Sequence, residues 1–222
     1  MRKSIIGLIT SVFLMSLGCG TTTGGGGSAG PGVATTVDGL IKVETDSPGD
    51  LYLRTDHGIG GYDAIAIAPS FLNYRRTSAK LDPYMEEVYL VSLEQALIDV
   101  AESAGVPIVY ELGECVIKIG AGFLNVDLAR SASAKILGRM TLVIEYRDSV
   151  SGQSLLRYVA DEKIEREAGG TSREQQIGES FDRMIEEVDI ISALRAATRV
   201  PSKPRAGCSG MLINAGRSVA AE

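Results

Sequence analysis

The stretch from Arg139 to Val159, RMTLVIEYRDSVSGQSLLRYV, decides the fold. Two runs rich in β-branched, aromatic and leucine residues, 139–147 and 154–159, flank the short polar segment Asp148–Gln153, which contains a glycine. Such a segment between two apolar runs is typical of a β-hairpin. We expect the Asp148 carboxylate to accept hydrogen bonds from backbone N–H groups in the turn.

A helix is predicted directly after the residue pair Asp82-Pro83. Asp82 can cap free backbone N–H groups, and Pro83 suits the first helical position because its missing N–H is not needed there. Apolar residues recur at steps of three and four from Met85 to Ala104, and Gly105 ends the pattern. The segment is therefore predicted to be an amphipathic helix.

A second helix, of about 25 residues, is predicted after Thr171. Thr171 and Glu174 form a capping-box pattern, and an apolar stripe continues from Ile177 to Leu194. Further strands are predicted at 62–71 and 115–128. Together these elements predict an α+β fold, a two-layer sandwich in which a mostly antiparallel sheet of four to five strands carries two long helices on one face.

The first 18 residues have the layout of an export signal. A positively charged start precedes a 13-residue apolar run, Ile5 to Leu17, which is typical of a secretory signal peptide. A membrane-spanning helix needs about 20 apolar residues, so this run is too short to be one. Ser16-Leu17-Gly18-Cys19 resembles the lipobox of bacterial lipoproteins, in which the Cys is diacylated and becomes the new N-terminus. The alternative is cleavage by the ordinary signal peptidase, with Cys19 left as a free thiol.

These features divide the chain into four parts. Residues 1–18 form the signal peptide, 19–36 a Gly-rich tether, 37–198 a single α+β domain and 199–222 a flexible basic tail. About 13 Gly-rich residues of this tether would have an r.m.s. reach of about 20 Å. The tail has two interpretations: a poorly ordered terminus, or a basic arm that lies on the acidic body or on anionic lipid.

The charge of the chain argues against nucleic acid as a partner. There are 22 Lys and Arg residues and 28 Asp and Glu residues, for a formal net charge of -6. From Gly20 to Thr198, 16 basic residues stand against 27 acidic ones. A folded domain of this sign is repelled by phosphate backbones, so general nucleic-acid binding is excluded.

The few cysteine and histidine residues restrict metal and redox chemistry. No CxxC or HExxH spacing is present, so no metal site is predicted. If Cys19 is acylated, Cys115 and Cys208 are the two thiols left in an oxidising compartment, where they could form a disulfide. Alternatively, Cys115 is a small buried apolar residue and Cys208 is exposed.

His57 is the one candidate for catalysis. Its neighbour Asp56 could orient the imidazole as a general base. However, the chain has no G-x-S-x-G nucleophile motif, and the glycines that follow His57 indicate a loop. Gly120-Ala121-Gly122 lacks the third glycine and the following helix of a dinucleotide site. We therefore predict no catalytic residue and no cofactor.

Three short motifs connect the chain to a known family. They are Tyr62-Asp63, Asn125-Val126-Asp127 and the hairpin turn, and the most specific piece is Glu145 to Leu155, EYRDSVSGQSL. On these motifs the chain, over roughly residues 50–198, resembles a family of uncharacterised Gram-negative envelope lipoproteins that carry a domain of unknown function. The resemblance implies an exported, lipid-anchored domain and supplies no reaction, cofactor or catalytic residue.

The sequence therefore predicts a non-enzymatic lipoprotein that acts as an interaction or accessory module. By the sorting rule of lipoproteins, Gly20 after Cys19, rather than Asp, implies transfer to the outer membrane, where the module faces the periplasm. Its expected partners are the membrane, through the lipid anchor, and another envelope protein. No oligomeric state is predicted. The alternative is a small-molecule or lipid-binding carrier, or a hydrolase that uses a cleft near His57.

Overall fold

The computed structural model describes residues 35–45, 48–131, 133–167, 169, 171–200 and 205–212. The predicted signal peptide, Cys19 and the tether up to residue 34 lie outside the described residues. Within the described part, no helix combines the length and the apolar character needed to cross a membrane.

The described residues contain one seven-stranded sheet. Its strands are β1 (Ile41–Val43), β2 (Asp50–Leu53), β3 (Ala64–Ile67), β4 (Phe71–Tyr74), β5 (Val116–Leu128), β6 (Ile136–Asp148) and β7 (Ser154–Glu165). The order across the sheet is β1-β2-β7-β6-β5-β3, and β4 also pairs with β5. Strands β3 and β4 run parallel to β5, whereas the other neighbouring pairs are antiparallel.

The β6–β7 hairpin predicted from the sequence is confirmed and forms the centre of the sheet. In its turn, the Asp148 Oδ1 atom accepts hydrogen bonds from the backbone N–H groups of Val150, at 3.1 Å, and Ser151, at 2.7 Å. Gly152 has a φ of 70°, in the left-handed region that favours glycine. The polar segment therefore forms a tight turn for the reason that the sequence indicated.

The sheet is larger than the four to five strands that the sequence predicted. The run 62–71, predicted as one strand, forms β3 and only the start of β4, because Pro69 between them has no N–H group to continue the ladder. The sequence did not predict β1 and β2. These strands have three and four residues, which is too short for a clear alternating pattern.

The described residues contain three α-helices: α1 (Pro83–Ser103), α2 (Arg173–Glu186) and α3 (Ile190–Arg199). Helix α1 packs against α2 and α3, and α1 and α2 pack against the sheet. The predicted start of α1 is confirmed, since the Asp82 carboxylate accepts a hydrogen bond from the backbone N–H of Tyr84 at 2.9 Å. The prediction of two long helices is wrong, because the apolar stripe after Thr171 is divided between α2 and α3.

The division between α2 and α3 has a local cause. Asp189 lies between them, and its carboxylate accepts hydrogen bonds from the backbone N–H groups of Ile191, at 3.1 Å, and Ser192, at 2.8 Å. This bonding pattern starts a new helix. The predicted cap of α2 is also one residue off: Ser172, not Thr171, accepts the hydrogen bond from the N–H of Gln175.

The core lies between the helices and one face of the sheet. On β6, Leu142, Ile144 and Tyr146 are buried and belong to this core, whereas Arg147 and Arg139 point to the opposite face and are exposed. This alternation is what a strand covered on one side requires. The predicted α+β class, a two-layer sandwich with a mostly antiparallel sheet, is therefore confirmed.

The two ends of the sheet carry different features. The β6–β7 turn and the starts of β3 and β5 lie at one end, which we call the hairpin end. Strands β4 and β7 finish at the opposite end, and α1 and α2 follow them there. We call this second end the helix-start end.

Candidate functional site

A groove of about 640 Å³ lies between the first turns of α1 and α2, at the helix-start end. Its location follows from the strand directions, since both strands that precede these helices finish at this end. Its apolar lining comes from two helices, a loop and the last residue of β5: Leu81, Met85, Leu128 and Ile177.

Three aromatic rings pack next to the groove, and one of them, Tyr89, lines it. The Tyr89 ring of α1 stacks on Phe181 of α2, with centroids 4.6 Å apart, and Phe181 meets Phe123 of β5 edge-on at 4.7 Å. Gly178 allows this approach, because a Cβ at that position would lie 2.8 Å from the Tyr89 hydroxyl oxygen. The stack ties both helices to the sheet, so the groove has a rigid base.

The rim of the groove is acidic. Four carboxylates line it, those of Asp82, Glu174, Glu179 and Asp182. Burial raises the pKa of Asp182, and the nearby charges of Glu186 and Glu179 raise it further. Asp182 is therefore a partly buried carboxylate with acidic neighbours, and a positive charge placed beside it would be stabilising.

The two cations of the groove lining, Lys80 and Arg173, already have partners. The Arg173 guanidinium donates hydrogen bonds to the carbonyl of Ala129, at 2.5 Å, and to Glu174, at 3.0 Å. Its Nε atom is buried and has no hydrogen-bond partner within the described part of the chain. The Lys80 Nζ atom lies 5.6 Å from the centre of the Tyr74 ring. The groove therefore suits a ligand with an apolar part and a positive charge.

A second cluster of polar residues lies at the hairpin end, where residues 205–212 contact Tyr62, Asp63 and Asp148. The Asp148 Oδ2 atom accepts hydrogen bonds from the Tyr62 hydroxyl, at 2.7 Å, and from the Arg205 guanidinium. The centre of that guanidinium lies 4.8 Å from the middle of the Tyr62 ring. Burial by itself would raise the pKa of Asp148, but the hydrogen bonds from Ser151 and Tyr62 and the charge of Arg205 lower it to about 2.

The same C-terminal segment is fixed at two further points. The Asp63 carboxylate accepts hydrogen bonds from the backbone N–H groups of Ser209, at 2.8 Å, and Gly210, at 2.7 Å. In the structure a disulfide joins Cys115 to Cys208, with the sulfur atoms 2.03 Å apart. Both sulfur atoms lie near Asp63, but neither offers a thiolate to a metal ion while the disulfide is present.

These contacts concern part of the predicted tail, 199–222. The structure describes Arg199, Val200 and residues 205–212 of it, and the longer of these stretches is bonded to the domain. The predicted lipid-attachment residue Cys19 lies outside the described residues.

His57 is buried, and both nitrogens of its ring have hydrogen-bond partners. It is 2% exposed, its Nδ1 atom accepts a hydrogen bond from the N–H of Ile59 at 3.0 Å, and its Nε2 atom lies 3.2 Å from the carbonyl oxygen of Val200. Burial lowers the pKa of His57, so the neutral imidazole donates through Nε2 and accepts through Nδ1. Both ring nitrogens are thus used to hold the loop beside α3.

The sequence indicated the pieces of the groove but not the groove itself. The starts of α1 and α2 are both marked by capping residues, Asp82 and the Thr171-Ser172 pair. The directions of the preceding strands are a further signal, but the sequence pattern does not separate β4 from the predicted strand 62–71. Without it, nothing places the two helix starts side by side.

No family model matches this sequence, and comparison with curated proteins also finds no match. Several solved structures are similar. The PelC dodecamer from Paraburkholderia phytofirmans has 12% identity and a TM-score of 0.36, with 66% of this chain and 96% of that chain covered. A minor lipoprotein from Acinetobacter baumannii has 12% identity, a TM-score of 0.35 and coverages of 64% and 98%. A hypothetical protein from Chlamydia trachomatis has 11% identity, a TM-score of 0.33 and coverages of 58% and 96%.

Proposed function

We propose that this protein is a non-enzymatic, lipid-anchored envelope lipoprotein that binds a partner protein on the periplasmic face of the outer membrane. The signal peptide, the lipobox-like Ser16–Cys19 and the Gly-rich tether support the location. The observation that carries the binding role is the groove between α1 and α2, with its apolar lining and acidic rim.

The groove favours one kind of occupant, a protein segment that combines apolar side chains with Lys or Arg. Apolar side chains of the segment would cover Met85 and Ile177, and its cations would neutralise Glu179 and Asp182. Electrostatic complementarity of this kind gives specificity and faster association. A segment that brought a positive charge would also lower the raised pKa of Asp182.

Site-specific photocrosslinking tests this binding role. A benzophenone amino acid at Met85, in the groove, should form an adduct with one envelope protein in intact cells. The matched control is Val91, which is exposed on the same helix and does not line the groove. Glu179→Lys should abolish the Met85 adduct, whereas Asp99→Lys, an exposed change elsewhere on α1, should not. Equal adducts from both positions would refute the groove as the binding site.

A carrier of small molecules is the second candidate, and the size of the groove favours it. Its volume of about 640 Å³ lies within the range of small-molecule pockets. A thermal-shift screen with cationic amphiphilic metabolites tests this candidate. A rise of several degrees in Tm that Glu179→Lys removes would replace the partner-protein role with that of a carrier.

The anchor is tested separately by metabolic labelling. Cells that express the protein should incorporate labelled palmitate into it, and Cys19→Ala should remove the label. Equal labelling of the two versions would refute lipidation at Cys19 without bearing on the groove.

A further inference from the structure

Four strongly exposed apolar side chains lie at the hairpin end of the sheet. Val37 is fully exposed, and the exposed fractions of the others are 64% for Val150, 55% for Leu112 and 51% for Met211. They come from four segments that are distant in the sequence, and we call them together the hairpin-end apolar surface. An isolated exposed apolar residue needs no explanation, so the observation that matters is that four such residues from distant segments share one end of the domain.

Hydrogen bonds hold Leu112 and Val150 in neighbouring loops. The N–H of Gly113, next to Leu112, donates to the Ser149 hydroxyl at 3.1 Å, and that hydroxyl donates to the Gly113 carbonyl at 2.6 Å. The N–H of Val150 donates to the Asp148 carboxylate. The two apolar side chains are therefore presented by ordered loops.

Met211 is fixed at the same end. Its N–H donates to the carboxylate of Asp63 at 3.3 Å, and Asp63 directly precedes β3. The adjacent Leu212 donates its N–H to the carbonyl of Tyr62 at 3.1 Å.

Val37 lies in the turn before β1. The Arg54 guanidinium donates to the carbonyl of Asp38, at 2.6 Å, and to the carbonyl of Ser154, at 2.7 Å. Ser154 is the first residue after the hairpin turn, so the loop that carries Val37 lies beside that turn.

The predicted tether joins the domain at this end too. Thr35 forms a β-bridge with Ile41, and Ile41 pairs with Leu53 of β2. Leu53 in turn pairs with Leu156, which lies near the start of β7. The Gly-rich residues 20–34 have an expected r.m.s. reach of about 20 Å. A strand of 13 residues such as β6 is about 43 Å long. Because the tether joins the domain at the hairpin end, a lipid on Cys19 would favour that end over the helix-start end as the part next to the bilayer.

We propose that the hairpin-end apolar surface contacts the bilayer that holds the lipid anchor, with its four side chains in the interfacial region of the lipid. The inference rests on the anchor of the proposed function. Glu111 and Glu114, on either side of Leu112 and Gly113, are exposed and would be repelled by anionic headgroups, so neutral lipid is the better surface. The orientation also points the groove away from the membrane, toward the periplasm.

The absence of tryptophan from the sequence gives a clean test. The chain from Cys19 onward is coupled through the Cys19 thiol to a maleimide lipid in phosphatidylcholine vesicles. Single-tryptophan variants Val150→Trp and Leu112→Trp are compared with Val91→Trp, an exposed valine on α1. Brominated lipids should quench tryptophan at 150 and 112 at least about threefold more than at 91. Adding Val37→Asp to the Leu112→Trp chain should reduce the quenching at 112.

Quenching at 150 and 112 that is no greater than at 91 would overturn the proposal. So would quenching at 112 that Val37→Asp leaves unchanged, since it would indicate that the introduced tryptophan inserts alone. The chemical coupling supplies the attachment, so the result does not depend on natural lipidation. A failure here is thus distinguishable from a failure of palmitate labelling at Cys19 or of crosslinking in the groove.

Discussion

Replacing Asp148 by Asn should destabilise the folded state by removing one charge from the hairpin end. The Asp148 side chain is 4% exposed and is bonded to the Arg205 guanidinium and the Tyr62 hydroxyl. Its pKa falls from 3.8 to about 2 on folding. At about 1.4 kcal/mol per pKa unit, this shift corresponds to about 2.5 kcal/mol of stability at neutral pH.

The sign of the pH dependence follows from the lowered pKa. The contribution of Asp148 is complete above the unfolded pKa of 3.8, and it is lost as the pH falls toward about 2. The Asn variant has already lost the charge at every pH. The Asn amide also turns an N–H donor toward other donors, either the turn N–H groups or Arg205, and this mismatch destabilises the folded state further. We therefore expect it to be less stable than the wild type by about 2 to 4 kcal/mol near neutral pH.

Urea unfolding of both proteins near pH 7 and near pH 2.5 measures this difference. The difference in free energy of unfolding should shrink at the lower pH, because the wild type is then partly protonated at Asp148. Asp99→Asn, an exposed carboxylate on α1, is the control and should change stability by less than about 0.5 kcal/mol. A difference for Asp148→Asn that is equally small, or independent of pH, would refute the reasoning.

Two further predictions concern the sheet and the disulfide. A Cβ on Gly122 would lie 2.3 Å from the carbonyl oxygen of Phe71, whereas a Cβ on Gly120 meets nothing within 4 Å. Gly122→Ala should thus cost at least about 2 kcal/mol in urea unfolding, and Gly120→Ala should be neutral or slightly stabilising. Cys115 and Cys208 are separated by 93 positions, so replacing both by Ser should lower the free energy of unfolding by up to about 4.5 kcal/mol. Reducing the wild type should produce the same loss, and an unchanged stability after reduction would contradict this prediction.

Local patterns were enough to predict several elements of the fold. The apolar runs around Asp148–Gln153 predicted the central hairpin, and Asp82-Pro83 predicted the start of α1. In each case the decisive interaction joins residues only two or three positions apart, such as the bond from the Tyr84 N–H to the Asp82 carboxylate. The same reasoning failed at Asp189, because an apolar stripe can continue unbroken across a change of helix.

The sequence by itself determined the α+β class, the hairpin, the start of α1 and the acidic character of the body. Only the tertiary structure decided that the starts of α1 and α2 form a groove, and that Val37, Leu112, Val150 and Met211 share one end of the sheet. Periodicity and capping depend on neighbours within one or two turns of chain. Which distant segments meet depends on the order and direction of strand pairing, such as β4 parallel to β5, and that pairing is set by long-range packing.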